Sequence, residues 1–181
     1  MDDLIKGLKA GSSEAFERLV REYGDRIYRF SRRLAGERGA EDLTQEVLVR
    51  VFRAIRTYEP TGRFESWLFT IASHLAVDLA RRRRPEASLS DVEGGLSADR
   101  FASGALEPVE SLEEEERRRA LLWAVEGLPL EQRQVFLLRE EAGLSFKEIA
   151  EIVKCPLNTA LGRMHYAMEH LRKALKTHGM Q

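Results

Sequence analysis

A single cysteine, Cys155, excludes a disulfide within the 181-residue chain and suits a reducing compartment. No apolar run approaches the roughly 18 residues that would cross a bilayer, so no membrane insertion is expected. The opening residues MDDLIKGLKAG lack the apolar core of a signal peptide, and a cytoplasmic protein is expected. The four histidines (His74, His165, His170 and His178) form neither an HExxH motif nor a Cys/His cluster. No metal or other cofactor is therefore expected. Neither a nucleophile–base pair nor a phosphate loop is recognisable, and the chain reads as a non-enzyme.

Charged residues make up 33% and hydrophobic ones 43%, the balance of a helix-rich globular chain. A net charge of −1 would argue against a nucleic-acid partner, but the average conceals a pattern. Residues 1–84 hold 17 Lys and Arg against 13 Asp and Glu, residues 85–116 hold 1 against 10, and residues 117–181 hold 11 against 7. Two basic blocks flank a strongly acidic strip, an asymmetry that speaks to partners.

The first block reads as helices. Ser12 can cap one whose apolar positions Phe16, Leu19, Val20, Tyr23, Ile27 and Leu34 recur every three or four residues, with Gly36 and Gly39 ending it. A second begins near Ala40, with Leu43, Val47, Val51 and Ile55 on one face and Asp42, Gln45, Glu46, Arg50 and Arg53 opposite. TYEPTGRFES breaks the pattern, and a third helix runs from about Glu65 to the run Arg81–Arg84, where Pro85 stops it. The Gly-, Ser- and Ala-rich acidic segment that follows reads as a mobile linker. Ser111 and Glu114 have capping-box spacing, Leu121, Leu122, Val125 and Leu128 form an apolar face, and Pro129 suits the first turn of the next helix.

Ser145 and Glu148 have capping-box spacing again, opening a short helix with Ile149, Ala150 and Val153 inward. Cys155-Pro156 ends it, and Asn158 or Thr159 starts a longer final helix. This is a helix-turn-helix arrangement, whose second helix lies in the major groove; a plain helical hairpin is the alternative.

The strings AEDLTQEVLVRVFRAI, GRFESWLFTIASHLAVDLARRRR, GLPLEQRQVFLLRE and GLSFKEIAEIVKCPLNTALGRM, in this order and spacing, resemble the extracytoplasmic-function (ECF) sigma factors of the bacterial sigma-70 family. The resemblance spans about residues 12–178. It implies an all-α chain of two small helical domains, 1–85 and 112–181, joined by the acidic linker 86–111, the C-terminal domain holding the helix-turn-helix. It implies an alternative sigma factor that binds core RNA polymerase and directs it to promoters. The N-terminal domain would bind the clamp of the largest subunit and open the −10 element. The C-terminal domain would bind the −35 element as duplex and meet the flap of the second-largest subunit.

On this resemblance the clamp-facing surface is the second helix, through Asp42, Gln45, Glu46, Arg50 and Arg53; without it, a solvated face with charges suiting the helix dipole explains the same pattern. The turn Tyr58–Phe64 matches the loop that captures a flipped base. There Tyr58 and Phe64 could stack while Pro60, Thr61, Gly62 and Arg63 present polar groups. The alternative is that Phe64 and Trp67 are core aromatics covering the junction, and for Trp67 that reading is preferred. His74 stands where the group most often carries Asn, which puts its role in strand separation in doubt. Arg81, Arg82, Arg83 and Arg84 exceed what a helix end requires and suit phosphates. The linker is either a solubilising spacer or a strand threading polymerase toward the RNA exit path.

Opening roughly ten base-pair steps at about 1.4 kcal/mol each costs on the order of 14 kcal/mol. Trapping two or three bases returns only ~1–3 kcal/mol apiece. The chain alone should not melt DNA; it needs polymerase.

The group usually places basic residues where this chain has Leu161, Tyr166 and Met168. At 100° per residue, Ala160, Met164, Ala167 and Leu171 form the buried stripe. Leu161 and Met168 flank it and are expected to pack against a neighbouring helix, so Leu161→Ala should mainly loosen the fold. Ser145, Lys147, Asn158, Thr159, Gly162, Arg163, His165, Tyr166 and Lys173 are the −35 candidates, with Arg163 contributing most. With no built-in sensor legible, control by an anti-sigma protein is expected, one able to hold the chain at the membrane. A polymerase-independent helix-turn-helix regulator is the alternative function; it predicts an appended ligand or receiver domain, and the first block lacks the strand pattern of one. A third reading is an interaction module that kept the fold and lost DNA binding.

Overall fold

The computed structural model of the chain describes residues 1–60, 62–83 and 112–177, with the backbone alone for 112–115. Thr61, Arg84, the linker 86–111, the Ser111 cap and His178 lie outside the described residues. Among those described, all regular structure is helical: α1 (Asp2–Lys9), α2 (Ser13–Ala35), α3 (Ala40–Ala54), a 3-10 turn (Ile55–Thr57), α4 (Phe64–Arg83), α5 (Leu112–Glu126), α6 (Leu130–Glu140), α7 (Phe146–Val153) and α8 (Leu157–Thr177). No helix among them is long and apolar enough to cross a membrane. They form two helical domains, α1–α4 and α5–α8.

In the N-terminal domain Ser12 caps α2, its Oγ accepting from the Ala15 amide at 3.3 Å. Leu19, Tyr23, Ile27, Phe30 and Leu34 then face the core. Val20, expected inward, is 39% exposed; at about 100° round the helix from Leu19 it lies at the edge of the core face. Leu43, Val47 and Val51 carry α3 onto the same core, and Ile55 continues it from the 3-10 turn. Helix α1 was not expected from the sequence. It is only two turns long, yet Leu4, Ile5 and Leu8 are buried. A Cβ at Gly7 would come within 2.7 Å of the Ala15 Cβ, so glycine is what lets α1 lie against α2.

In the C-terminal domain Leu122, Val125, Leu128, Val135, Leu138, Ile149, Ile152, Ala160, Ala167 and Leu171 are buried. Leu121, expected on the same face, is 43% exposed. Pro129 occupies the N-cap of α6, one residue before the expected first turn. The capping box of α7 is complete: the Glu148 amide donates to Ser145 Oγ and the Ser145 amide to Glu148 Oε2. Lys154 ends α7 in the left-handed region, at φ 53°. Pro156 then precedes α8, which begins at Leu157, one residue earlier than expected.

The domains touch, α2 lying against α5 and α6, and α4 against α6 and α7. Nothing in the sequence announced this contact.

Candidate nucleic-acid interface

The junction of α3 and α4 builds an open depression of about 400 Å³ lined by Thr57, Tyr58, Glu59, Arg63, Ser66, Trp67 and Thr70. Its floor is an aromatic cluster. Tyr58 meets Trp67 at 4.7 Å between ring centroids and Phe64 at 5.8 Å, and Phe64 meets Tyr23 at 5.7 Å. Tyr58 and Phe64 are 6% and 2% exposed, so neither offers the free ring face expected of it; both hold up the junction. Trp67 is half-buried, resting on the core while lining the depression. The roles therefore exchange: the expected stacking residues are core, and the expected core residue has the accessible ring. The Tyr58 hydroxyl is buried and has no hydrogen-bond partner, while Thr70 Oγ1 is satisfied by the Ser66 carbonyl at 2.7 Å. Pro60, Gly62 and Arg63 are exposed beside it.

Along α4, His74 is exposed, as are Arg81, Arg82 and Arg83. Arg83 has an occupation of its own. Its Nη1 donates to the Ala35 carbonyl at 3.0 Å, and a Cβ in place of Gly39, at φ +79°, would lie 2.6 Å from its Nη2. This guanidinium closes the turn between α2 and α3 by binding an α2 end carbonyl. Of the other described members of the run, Arg81 and Arg82 are exposed. On α3, Asp42, Gln45, Glu46, Arg50 and Arg53 are all exposed, with Arg50 paired to Glu46 at 2.6 Å. Val49 and Phe52 are also exposed, at 39% and 38%, giving this face an apolar component absent from the expectation.

The helix-turn-helix shows the same division between support and surface. Ser145 Oγ is committed to Glu148, donating to its Oε2 at 2.6 Å, so it fixes α7 rather than offering a free hydroxyl. These bonds hold the Glu148 carboxyl below the usual carboxylate range. Lys147 is exposed. On α8, Ala160, Ala167 and Leu171 are buried and Met164 half-buried, the expected stripe. Asn158, Thr159, His165, Tyr166 and Lys173 are exposed, and Gly162 and Arg163 half-buried. Leu161 and Met168 correct the expectation, at 42% and 40% exposed. Being 80–100° off the stripe carries them past the core onto the open side. With Leu157, 39% exposed, they make the outer face of α8 apolar where a basic one was absent.

Residues 19–86 match the family model for sigma-70 region 2, and residues 111–171 that for sigma-70 region 4. The chain is 36% identical over 171 residues to the ECF RNA polymerase sigma factor SigE of Mycolicibacterium smegmatis, covering 92% of this chain and 64% of that protein. It is 30% identical over 177 residues to the ECF RNA polymerase sigma factor SigW of Bacillus subtilis, covering 95% of each. With the ECF RNA polymerase sigma-E factor of Escherichia coli it shares 32% over 173 residues, 92% of this chain and 89% of the other. Among solved structures it is similar to CnrH in complex with the cytosolic domain of CnrY (TM-score 0.68, 21% identity, 96% of each chain). It is also similar to the sigma factor RpoE in complex with the anti-sigma factor NepR from Bartonella quintana (TM-score 0.67, 25% identity, 89% of this chain and 96% of that one).

Proposed function

This chain belongs to the ECF sigma factors of the sigma-70 family, and we propose from that premise a division of labour between its two domains. As a sigma factor it directs RNA polymerase to promoters and initiates transcription. The N-terminal domain docks on the polymerase clamp through the α3 face of Asp42, Gln45, Glu46, Arg50 and Arg53, with Val49 and Phe52 supplying the apolar area that charges alone do not. The depression at the α3–α4 junction then receives one base flipped out of the −10 element. Trp67 provides the stacking surface, and Thr57, Ser66 and Arg63 provide polar groups at the base edge. Arg81 and Arg82 hold phosphates farther along α4, with His74 between them and the depression.

The C-terminal domain places α8 in the major groove of the −35 element, where the first turns of a recognition helix read base edges. Those turns present Leu157, Asn158, Thr159 and Leu161, with Arg163, His165 and Tyr166 next. Apolar contact with thymine methyls replaces much of the arginine–guanine reading, and Lys147 and Lys173 supply phosphate contacts. Duplex affinity is then low until polymerase, through its flap, tethers the domain. Both similar solved structures hold a second protein, one of them named as an anti-sigma factor. An anti-sigma protein is the proposed partner of this chain as well, holding it in the cytoplasm or at the membrane.

The observation that carries the reading is the depression itself: an accessible Trp67 ring among hydroxyls and beside Arg63, in a chain matching region 2. The test is a footprint of the holoenzyme on promoters selected from a random library. Leu161→Ala and Arg163→Ala should lose −35 protection and keep −10 opening on extended promoters. Unaltered −35 protection in both would remove α8 from the groove.

A further inference from the structure

We infer that the free chain is self-closed, with Glu141 latching the C-terminal domain over the strand-opening face of the N-terminal one. What the latch covers rests on the sigma-factor reading; the latch itself rests on contacts between the domains.

Arg26, Arg29 and Arg33 recur along α2 at three- and four-residue intervals and so share one stripe of the helix. All three meet the turn after α6. Glu141 receives Arg29 Nε on Oε2 at 3.3 Å and Arg33 Nη1 on Oε1, and its side chain is 11% exposed in this clasp. Arg26 donates to the backbone carbonyls of Glu141 and Ala142 at 3.3 and 3.1 Å while pairing with Glu65 at 2.9 Å. Burial, with Arg32 and Arg29 alongside, pushes the Arg33 guanidinium below its usual range. A carboxylate shared between two cations, Arg29 and Arg33, is where one side chain has leverage. A second tie lies deeper: Gln134 Nε2 donates to Ser73 Oγ at 2.8 Å, both residues buried.

These ties bring the end of α7 against α4. Glu151 pairs with Arg63 at 3.2 Å, and the Ile152 carbonyl lies 3.4 Å from His74 Nε2. A carboxylate thus faces the cation beside the base-binding depression in an exposed ion pair, and a carbonyl faces the ring nitrogen farther along α4. A single strand following Arg63 and His74 would meet α7. Every group in this set of ties is charged or hydrogen-bonding and regains water when the domains part, so separation leaves none of them stranded. These polar ties can therefore exchange for water, beside an apolar contact that joins the two cores.

The test uses the full chain in four forms: wild type, Glu141→Ala, Glu141→Gln and Glu140→Ala. Glu140 is the exposed neighbour, so its substitution makes the same charge change outside the clasp. Radius of gyration by small-angle scattering, helix content by circular dichroism, and binding of a fluorescein-labelled 12-nucleotide random-sequence single-strand pool are measured for each. The latch predicts that both Glu141 variants keep their helix content, expand, and bind the pool about tenfold more tightly than Glu140→Ala. Glu140→Ala should remain as compact as the wild type. Adding Arg33→Glu to Glu141→Arg restores an opposite-charge pair and should restore compactness. The isosteric glutamine variant and this charge exchange decide the matter even if the alanine variant unfolds. Wild-type dimensions in folded Glu141→Gln overturn the latch. Expansion without tighter binding than Glu140→Ala overturns the covering of the strand path. Transcription with core polymerase, run on the same proteins, separates the two readings. If none supports it, the sigma-factor reading fails; the latch is still judged by the dimensions.

Discussion

Replacing Trp67 by leucine asks whether the depression takes a base. Leucine keeps an apolar side chain beneath Tyr58, whose ring lies 4.7 Å from that of Trp67, but removes the aromatic face. Stacking of one base on an aromatic side chain contributes ~1–3 kcal/mol. At 1.4 kcal/mol per factor of ten, the loss is roughly five- to 150-fold in the fraction of opened promoter. Trp67 is half-buried, so the folding cost should stay below the ~3–5 kcal/mol of emptying a fully buried tryptophan site. The assay is permanganate reactivity of unpaired thymines in the −10 region, with the holoenzyme on a selected promoter and core binding measured in parallel. Stacking is uncharged, so the loss should persist across salt while the slope of affinity against salt stays unchanged. Full reactivity in a folded Trp67→Leu holoenzyme would refute the reasoning, as would a loss matched entirely by weaker core binding.

Four other substitutions separate support from contact. Arg83→Ala removes the cap on the Ala35 carbonyl and should lower stability by about 1.5–3 kcal/mol, read by denaturant unfolding. Arg82→Ala, on the exposed side, should leave stability unchanged and lower the single-strand salt slope by ~0.7. Leu161→Ala, at a position 42% exposed, should change stability by less than ~1 kcal/mol. Leu171→Ala, at a position 4% exposed, should cost about 2–5 kcal/mol in the same unfolding experiment. The Glu148 carboxyl is held below its usual range by Ser145, so its contribution to stability is present above the unfolded pKa near 4.3 and lost as pH falls through the lower folded value. The stability gap between wild type and Glu148→Gln should hold steady at neutral pH and shrink only below about pH 4.

Helix periodicity and caps were legible because they are local. Ser12, Ser145 and Glu148 cap where their spacing said they would, and the α8 stripe of Ala160, Ala167 and Leu171 followed from helical phase alone. The helix α1 was missed since two turns give too short a period to stand out. The aromatic assignments at the α3–α4 junction exchanged places because Phe64, on which Tyr58 packs, meets Tyr23, some forty residues away in α2. Arg83 read as one of four equivalent arginines, and only the fold brings it to the end of α2. Leu161 and Met168 were expected to find a neighbour, but among the described residues they stay 42% and 40% exposed. The Arg26, Arg29, Arg33 stripe went unread, because its partner Glu141 stands more than a hundred residues on and carries no local mark.

The central claim, that this chain gives polymerase its promoter choice, is tested most directly by adding the purified chain to core RNA polymerase on a library of promoter sequences. The account predicts transcripts that start at a defined distance from one recurring pair of −35 and −10 elements and that vanish when the chain is omitted. Folded chain that binds no core polymerase and raises no transcript from any promoter would contradict it.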